Sequence, residues 1–161
     1  MNTLSIQSAN KSDSEVLSRI CVESKMYWKY PIEWLKLWLK ELSITQEYIE
    51  NYFVFTLNLN GEIIGFISIE EDNEMYKIGH LWVKPKFIGM GYGKRLLNEV
   101  IAMVVKQGAE IIVESDPHAE QFYISQGFRT FDKKEGIPKG RYLPLMRKKN
   151  IAHALPDGLS S

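Results

Sequence analysis

His80-Leu-Trp-Val-Lys-Pro-Lys-Phe-Ile-Gly-Met-Gly-Tyr-Gly-Lys-Arg-Leu-Leu97 is the stretch that decides the fold. It starts as a strand, is stopped at Pro85, which has no N–H to give a ladder, and passes three glycines in the five residues 89–93. An apolar pattern of helical period follows. Leu96, Leu97, Val100, Ile101, Val104 and Val105 recur along one helix face, and Gly108 is placed to cap the C-terminus.

Working upstream, Phe53 to Leu59 and Glu62 to Ile69 flank Asn60-Gly61, a two-residue hairpin signal, and Met75 to Val83 follows Asp72-Asn73. Three successive strands on short turns must be antiparallel neighbours. Earlier still, Leu4 to Gln7 alternates as a short first strand, and Asp13 to Glu23 puts Val16, Leu17, Ile20 and Cys21 at helical spacing. Pro31 opens a second amphipathic helix with Ile32, Leu35, Leu39 and Leu42 on one side. Trp28, Trp34 and Trp38 crowd this region, either as packing or as one wall of a substrate pocket formed by Lys25 to Pro31.

Downstream, Glu110 to Ser115 reads as a buried strand, Asp116-Pro117 as a helix entry, and Gly127 as that helix's exit. A helix between two strands is long enough for a right-handed crossover, so the sheet turns parallel there. Phe128 to Lys133 and Tyr142 to Arg147 supply two last strands. The expectation is an α/β chain with a mixed, mostly antiparallel sheet of about seven strands flanked by helices. It forms one domain over residues 1–149, with a loosely ordered tail from Asn150 to Ser161.

Composition narrows the function. The 161 residues are 45% hydrophobic and 25% charged, as in a folded chain, and 20 basic residues balance 20 acidic ones. Nucleic acid is therefore not the default partner. Cys21 is the only cysteine, which excludes an internal disulfide or a cysteine zinc cluster. No signal-like start or long apolar run is visible, so a cytoplasmic protein off the membrane is expected. No His, Asp or Glu cluster has metal-ligand spacing, and no metal is expected.

Gly89, Gly91 and Gly93 lie where a helix begins, with unpaired main-chain N–H groups and the positive end of the helix dipole. An anion suits that place, a bare tight turn being the alternative. A mononucleotide loop would need glycine and Ser or Thr where Ile88 and Arg95 stand, and a dinucleotide fingerprint would need glycine at Lys94. What remains is a pyrophosphate held without a metal.

Val83-Lys-Pro85, Gly91-Tyr-Gly93 and Leu96-Leu97, together with Ala119 to Phe128 ending in Gly127-Phe128, resemble the GNAT superfamily of acyl-CoA-dependent N-acyltransferases. The resemblance spans about Leu4 to Lys148, with Ile88 where that family usually has Gln or Arg. It implies acetyl-CoA as the acyl donor. Leu81, Trp82 and Val83 would offer a strand edge to the pantetheine arm, and Gly89, Met90, Gly91, Tyr92, Gly93 and Lys94 would bind the pyrophosphate. Asp116 and His118 stand where the family often has a cofactor-contacting Asn.

The resemblance also makes Tyr123 the general acid toward the leaving thiolate, a core tyrosine being the alternative. An alkyl amine is almost wholly protonated at pH 7, so some group must take its proton. His80 and Glu114 are candidates, as is Glu70, against structural roles for each. Trp28, Tyr30 and Arg141 are candidates to meet the substrate, although Arg141 by default is an exposed surface residue. The expected partner is a small-molecule or peptide amine, and the expected assembly a monomer or homodimer. A non-catalytic acyl-CoA-binding domain is the rival reading.

Overall fold

The computed structural model describes residues 2–151. After β1 (Leu4–Ser8), helices α1 (Ser14–Tyr27), α2 (Ile32–Trp38) and α3 (Gln46–Asn51) precede the antiparallel run β2 (Phe53–Leu59), β3 (Glu62–Asp72) and β4 (Met75–Val83). Then come α4 (Tyr92–Val104), β5 (Glu110–Glu114), α5 (Glu120–Ser125), β6 (Arg129–Glu135) and β7 (Tyr142–Lys149). One seven-stranded sheet results, in the order β1-β2-β3-β4-β5-β7-β6. All neighbours are antiparallel except β4 and β5, the pair that α4 connects.

The hairpins form for the reason their residues suggest. Asn60 and Gly61 both take positive φ, 53° and 84°, which matches the twist of the strands they join. Asn73 and Glu74 do the same at 50° and 66°. Both faces of the sheet are covered, so β3 is buried without interruption from Ile64 to Ile69 rather than alternating. On one face Leu96, Leu97, Val100 and Ile101 of α4 pack with Ile67, Ile69 and Ile111. Each such side chain contributes about 1.5–3 kcal/mol on burial. On the other face Leu17, Ile20 and Cys21 of α1 pack with Trp38, Val54 and Phe66.

Several details differ from the pattern reading. The first helix continues past Glu23 to Tyr27. The second ends at Trp38, and its inward residue is Trp38 itself, while Ile32 and Leu39 are 61% and 50% exposed. An indole can bury its ring and still donate, and Trp38 does so to the Ile137 carbonyl at 2.7 Å. Helix α3 lies where the pattern marks no element; Thr45 caps it by accepting the Tyr48 N–H. Gly108 does not cap α4, which stops at Val104; its N–H instead donates to the Asn150 carbonyl at 2.6 Å. Asn150, where a loose tail is expected to start, is tied down by its amide side chain, which donates to Val105 O at 2.9 Å; the rest of that expected tail, residues 152–161, lies outside the described residues. No helix among the described residues is long and apolar enough to cross a membrane.

Candidate active site

Strands β4 and β5 pair only at Tyr76↔Ile111, Lys77↔Ile112 and Ile78↔Val113. Beyond Ile78 the β5 side of β4 has no strand partner. The local cause is a bulge: Ser68 of β3 faces His80 while Ile69 faces Ile78, which leaves Gly79 as the extra residue. Glycine leaves room there for the Tyr48 hydroxyl and the Glu70 carboxylate, which would have to shift to admit a Cβ. The strands diverge around a cleft of about 830 Å³. Leu81, Trp82 and Val83 line one side, and Ser115, Asp116 and His118 line the other.

The glycine loop closes one end. Gly91 is the N-cap of α4 at φ 84°, Gly89 has φ 85°, and no side chain caps the helix. The N–H groups of its first turn thus have no intrahelical acceptor and form the positive end of the helix dipole. Gly89, Gly91, Tyr92, Gly93 and Lys94 all line the cleft. Met90 does not; it is 63% exposed. Ile88 lines it too, in place of a polar side chain. An unpaired strand edge running into bare helix amides offers donors and acceptors that suit an amide-containing arm followed by a diphosphate.

Tyr123 comes from α5, which ends in a Schellman turn: Phe128 N–H donates to Tyr123 O and Gly127 N–H to Ile124 O, both at 3.0 Å. Its ring packs with Phe122 and Phe128, and it lines the cleft while its hydroxyl has no hydrogen-bond partner among the described residues. Burial pushes the phenol well above its ordinary pKa, so it holds its proton. Of the candidate bases, His80 accepts the Trp82 indole N–H on Nδ1 at 3.0 Å, and burial, with Lys77 second, pulls its pKa down to about 4. That lone pair is already engaged, which weakens His80 as a base. Burial raises the Glu114 carboxyl, but Lys134 at 3.0 Å and Lys77 at 3.4 Å outweigh it and hold the group below the usual range. Glu114 is an ion-pair partner. Glu70 lines the cleft and accepts one hydrogen bond, from the Tyr48 hydroxyl at 2.7 Å.

Opposite the glycine loop the cleft is walled by a polar cluster. Lys25 Nζ lies 2.5 Å and Arg141 Nη2 3.2 Å from the same oxygen of Asp116. The Tyr30 hydroxyl and the His118 main-chain N–H donate to Asp116 at 2.9 and 2.8 Å. Burial would raise the Asp116 carboxyl; the Lys25 ammonium wins and holds it below its ordinary value. Burial likewise pulls Lys25 down and pushes Tyr30 up to about 12. Trp28 stacks on His118 with centroids 4.7 Å apart. Tyr30 does not line the cleft itself but braces Asp116.

One expectation changes here. Arg141 is not an exposed surface residue: its side chain is only 10% exposed, with the guanidinium over Trp38. Asp116 lines the cleft with both oxygens engaged by Lys25, Arg141, Tyr30 and His118. Glu70 is one of the candidate bases and Lys25 bounds the candidate pocket wall, but no spacing marks the Tyr48 bond to Glu70, the Lys25 pairing with Asp116 or the covering role of Trp38. Among the described residues no group of His, Cys, Asp and Glu could hold a metal ion.

A family model described as an acetyltransferase (GNAT) domain matches residues 32–150. An uncharacterised N-acetyltransferase of Methanocaldococcus jannaschii is 26% identical over 153 residues, covering 84% of this chain; the chain spans only 65% of that relative's length. The crystal structure of PaiA N-acetyltransferase from Thermoplasma acidophilum in complex with coenzyme A superposes with a TM-score of 0.74 at 21% identity, over 91% of this chain and 99% of that one. The structure of yncA from Salmonella typhimurium with its cofactor acetyl-CoA gives 0.64 at 21% identity, over 98% and 99%. The two superpositions speak for the fold, and the family match covers most of the sheet together with the whole glycine loop. Because that match takes in well over half of the sequence, the chain belongs to the GNAT acetyltransferase family.

Proposed function

We propose that this protein is an N-acetyltransferase that moves the acetyl group of acetyl-CoA directly onto a primary amine of a small molecule or peptide. The observation that carries the reading is the divergence of β4 from β5 beside the uncapped start of α4, with Tyr123 lining the same cleft. Acetyl-CoA supplies an activated acyl carbon, to which the amine nitrogen bonds as the carbon–sulfur bond breaks. The main chain of Leu81 to Val83 and of Gly89 to Lys94 orients that carbon and anchors the diphosphate. Tyr123 holds a proton for the sulfur as it becomes a thiolate, at a hydroxyl that no protein group occupies. Glu70, with Tyr48 bonded to it, receives the proton that the amine must lose; His80 keeps the Trp82 ring in place.

The only cysteine, Cys21, is buried with its thiol pushed up by burial, so an acyl-enzyme on sulfur does not compete with direct transfer. The test is release of free thiol from acetyl-CoA across a panel of primary amines. Acceptor-dependent release is expected, and Tyr123→Phe should lower kcat by about 10²- to 10⁴-fold with little change in coenzyme A affinity. No release with any acceptor would make the protein a binder of acyl-CoA rather than an enzyme.

A further inference from the structure

The cluster opposite the glycine loop holds more positive charge than it can neutralise itself. Lys25 and Arg141 are each about nine-tenths buried at the side chain, 10% exposed apiece, and both lean on one oxygen of one carboxylate, Asp116. The other Asp116 oxygen is filled by Tyr30 and His118. The remaining acid whose field reaches Lys25, Glu41, sits exposed on the cleft rim. Two buried cations on a single anion leave one unit of charge uncompensated, a costly arrangement in a low-dielectric wall.

A second observation points the same way. Arg141 Nε is buried and has no hydrogen-bond partner, while Nη2 is spent on Asp116 and Tyr30. Its guanidinium is fixed flat over Trp38 at 4.6 Å, and Arg141 lines the cleft. Nε is sealed off from the cleft, whereas Nη1 neither bonds to another described residue nor is sealed, so it is the edge that an entering group meets, and a planar guanidinium suits a carboxylate. An unbonded Nη1 and a surplus charge on the same residue are both satisfied by one anionic ligand group.

Resting on the N-acetyltransferase reading, we propose that the acceptor is an amino acid: an amine carrying its own carboxylate, which Arg141 binds through Nη1 with Lys25 supplying the second positive charge. The other end of the same molecule presents its amine to the acetyl carbon. Specificity then comes from charge at the Arg141 wall, and an acceptor lacking the carboxylate leaves the buried cation unpaired.

The experiment compares α-, β- and ω-amino acids with their own amides, which keep the amine and neutralise the carboxylate. For at least one pair, kcat/KM for the acid should exceed that for the amide by about tenfold or more, mainly through KM. Arg141→Gln should bring the ratio toward one, and Arg141→Lys should restore part of it. In the unmutated protein the matching carboxylic acid without an amine should inhibit competitively and its amide should not, a readout independent of whether the variants fold. Equal turnover of acids and amides throughout would overturn the carboxylate site while leaving the acetyltransferase reading intact. Absence of thiol release with every acid, amide and plain amine would overturn both.

Discussion

His80 shows how one buried side chain makes stability depend on pH. Its ordinary pKa of 6.5 falls to about 4 in the folded protein, because burial disfavours the charged ring and the Lys77 ammonium repels it. Above pH 6.5 the ring is neutral folded or unfolded, and the shift has no effect. As pH falls from 6.5 toward 4 the unfolded chain takes up a proton that the native ring refuses, and stability is lost over that window. The shift corresponds to about 3 kcal/mol at its lower end. His80→Gln, which can still accept from Trp82, should therefore lose less stability between pH 7.5 and 4.5 than the unmutated chain, as measured by urea midpoints. Equal losses would mean that the ring is not sealed. Sequence alternation is enough to place His80 and Trp82 on one face, but it cannot show that the ring is held off solvent, just as nothing local to Arg141 announces that Trp38 and Tyr30 will cover it.

At the level of elements, legibility follows the length of the repeating pattern. Helix α4 can be read because four fully buried positions recur over thirteen residues. Helix α3, with six residues, offers Ile49 as its buried side chain, and only the Thr45 cap signals it. The same contrast separates two glycines that local geometry makes alike. Gly91 and Gly108 both have φ 84° and empty space where a Cβ would go, yet only Gly91 lies at the cleft, starting α4. Replacing either by Ala should cost about 1–2 kcal/mol of stability, from strain in the left-handed region. Only Gly91→Ala should also weaken coenzyme A binding, since it disturbs the amides at the head of the helix. Calorimetric titration of both variants checks this; equal weakening would show the loop's role to be mere rigidity.

For the molecule as a whole, the sheet is two pieces that meet over three residue pairs of β4 and β5. That the sheet mixes directions can be argued from a helix crossing between strands; that β7 slips between β5 and β6 cannot, because antiparallel hairpin partners leave the outer position open to either. Apart from the ladder, α4 and the packed layers, the pieces are tied across the cleft by Lys25 and Tyr30 on Asp116 and by Trp38 on Ile137. A ligand lying along β4 and capped by the α4 amides would add a further tie that the unfolded chain cannot make. At a coenzyme A concentration about 100 times its Kd the gain is about 2.7 kcal/mol. For a chain of 161 residues this should raise Tm by about 5–10 °C. ATP and NAD carry the phosphates but no pantetheine arm, so at the same concentration they should engage only the helix end and shift Tm far less. The comparison separates the two halves of the site: a coenzyme A shift matched by ATP would mean that the α4 amides alone bind and that the open edge of β4 is not where the arm lies.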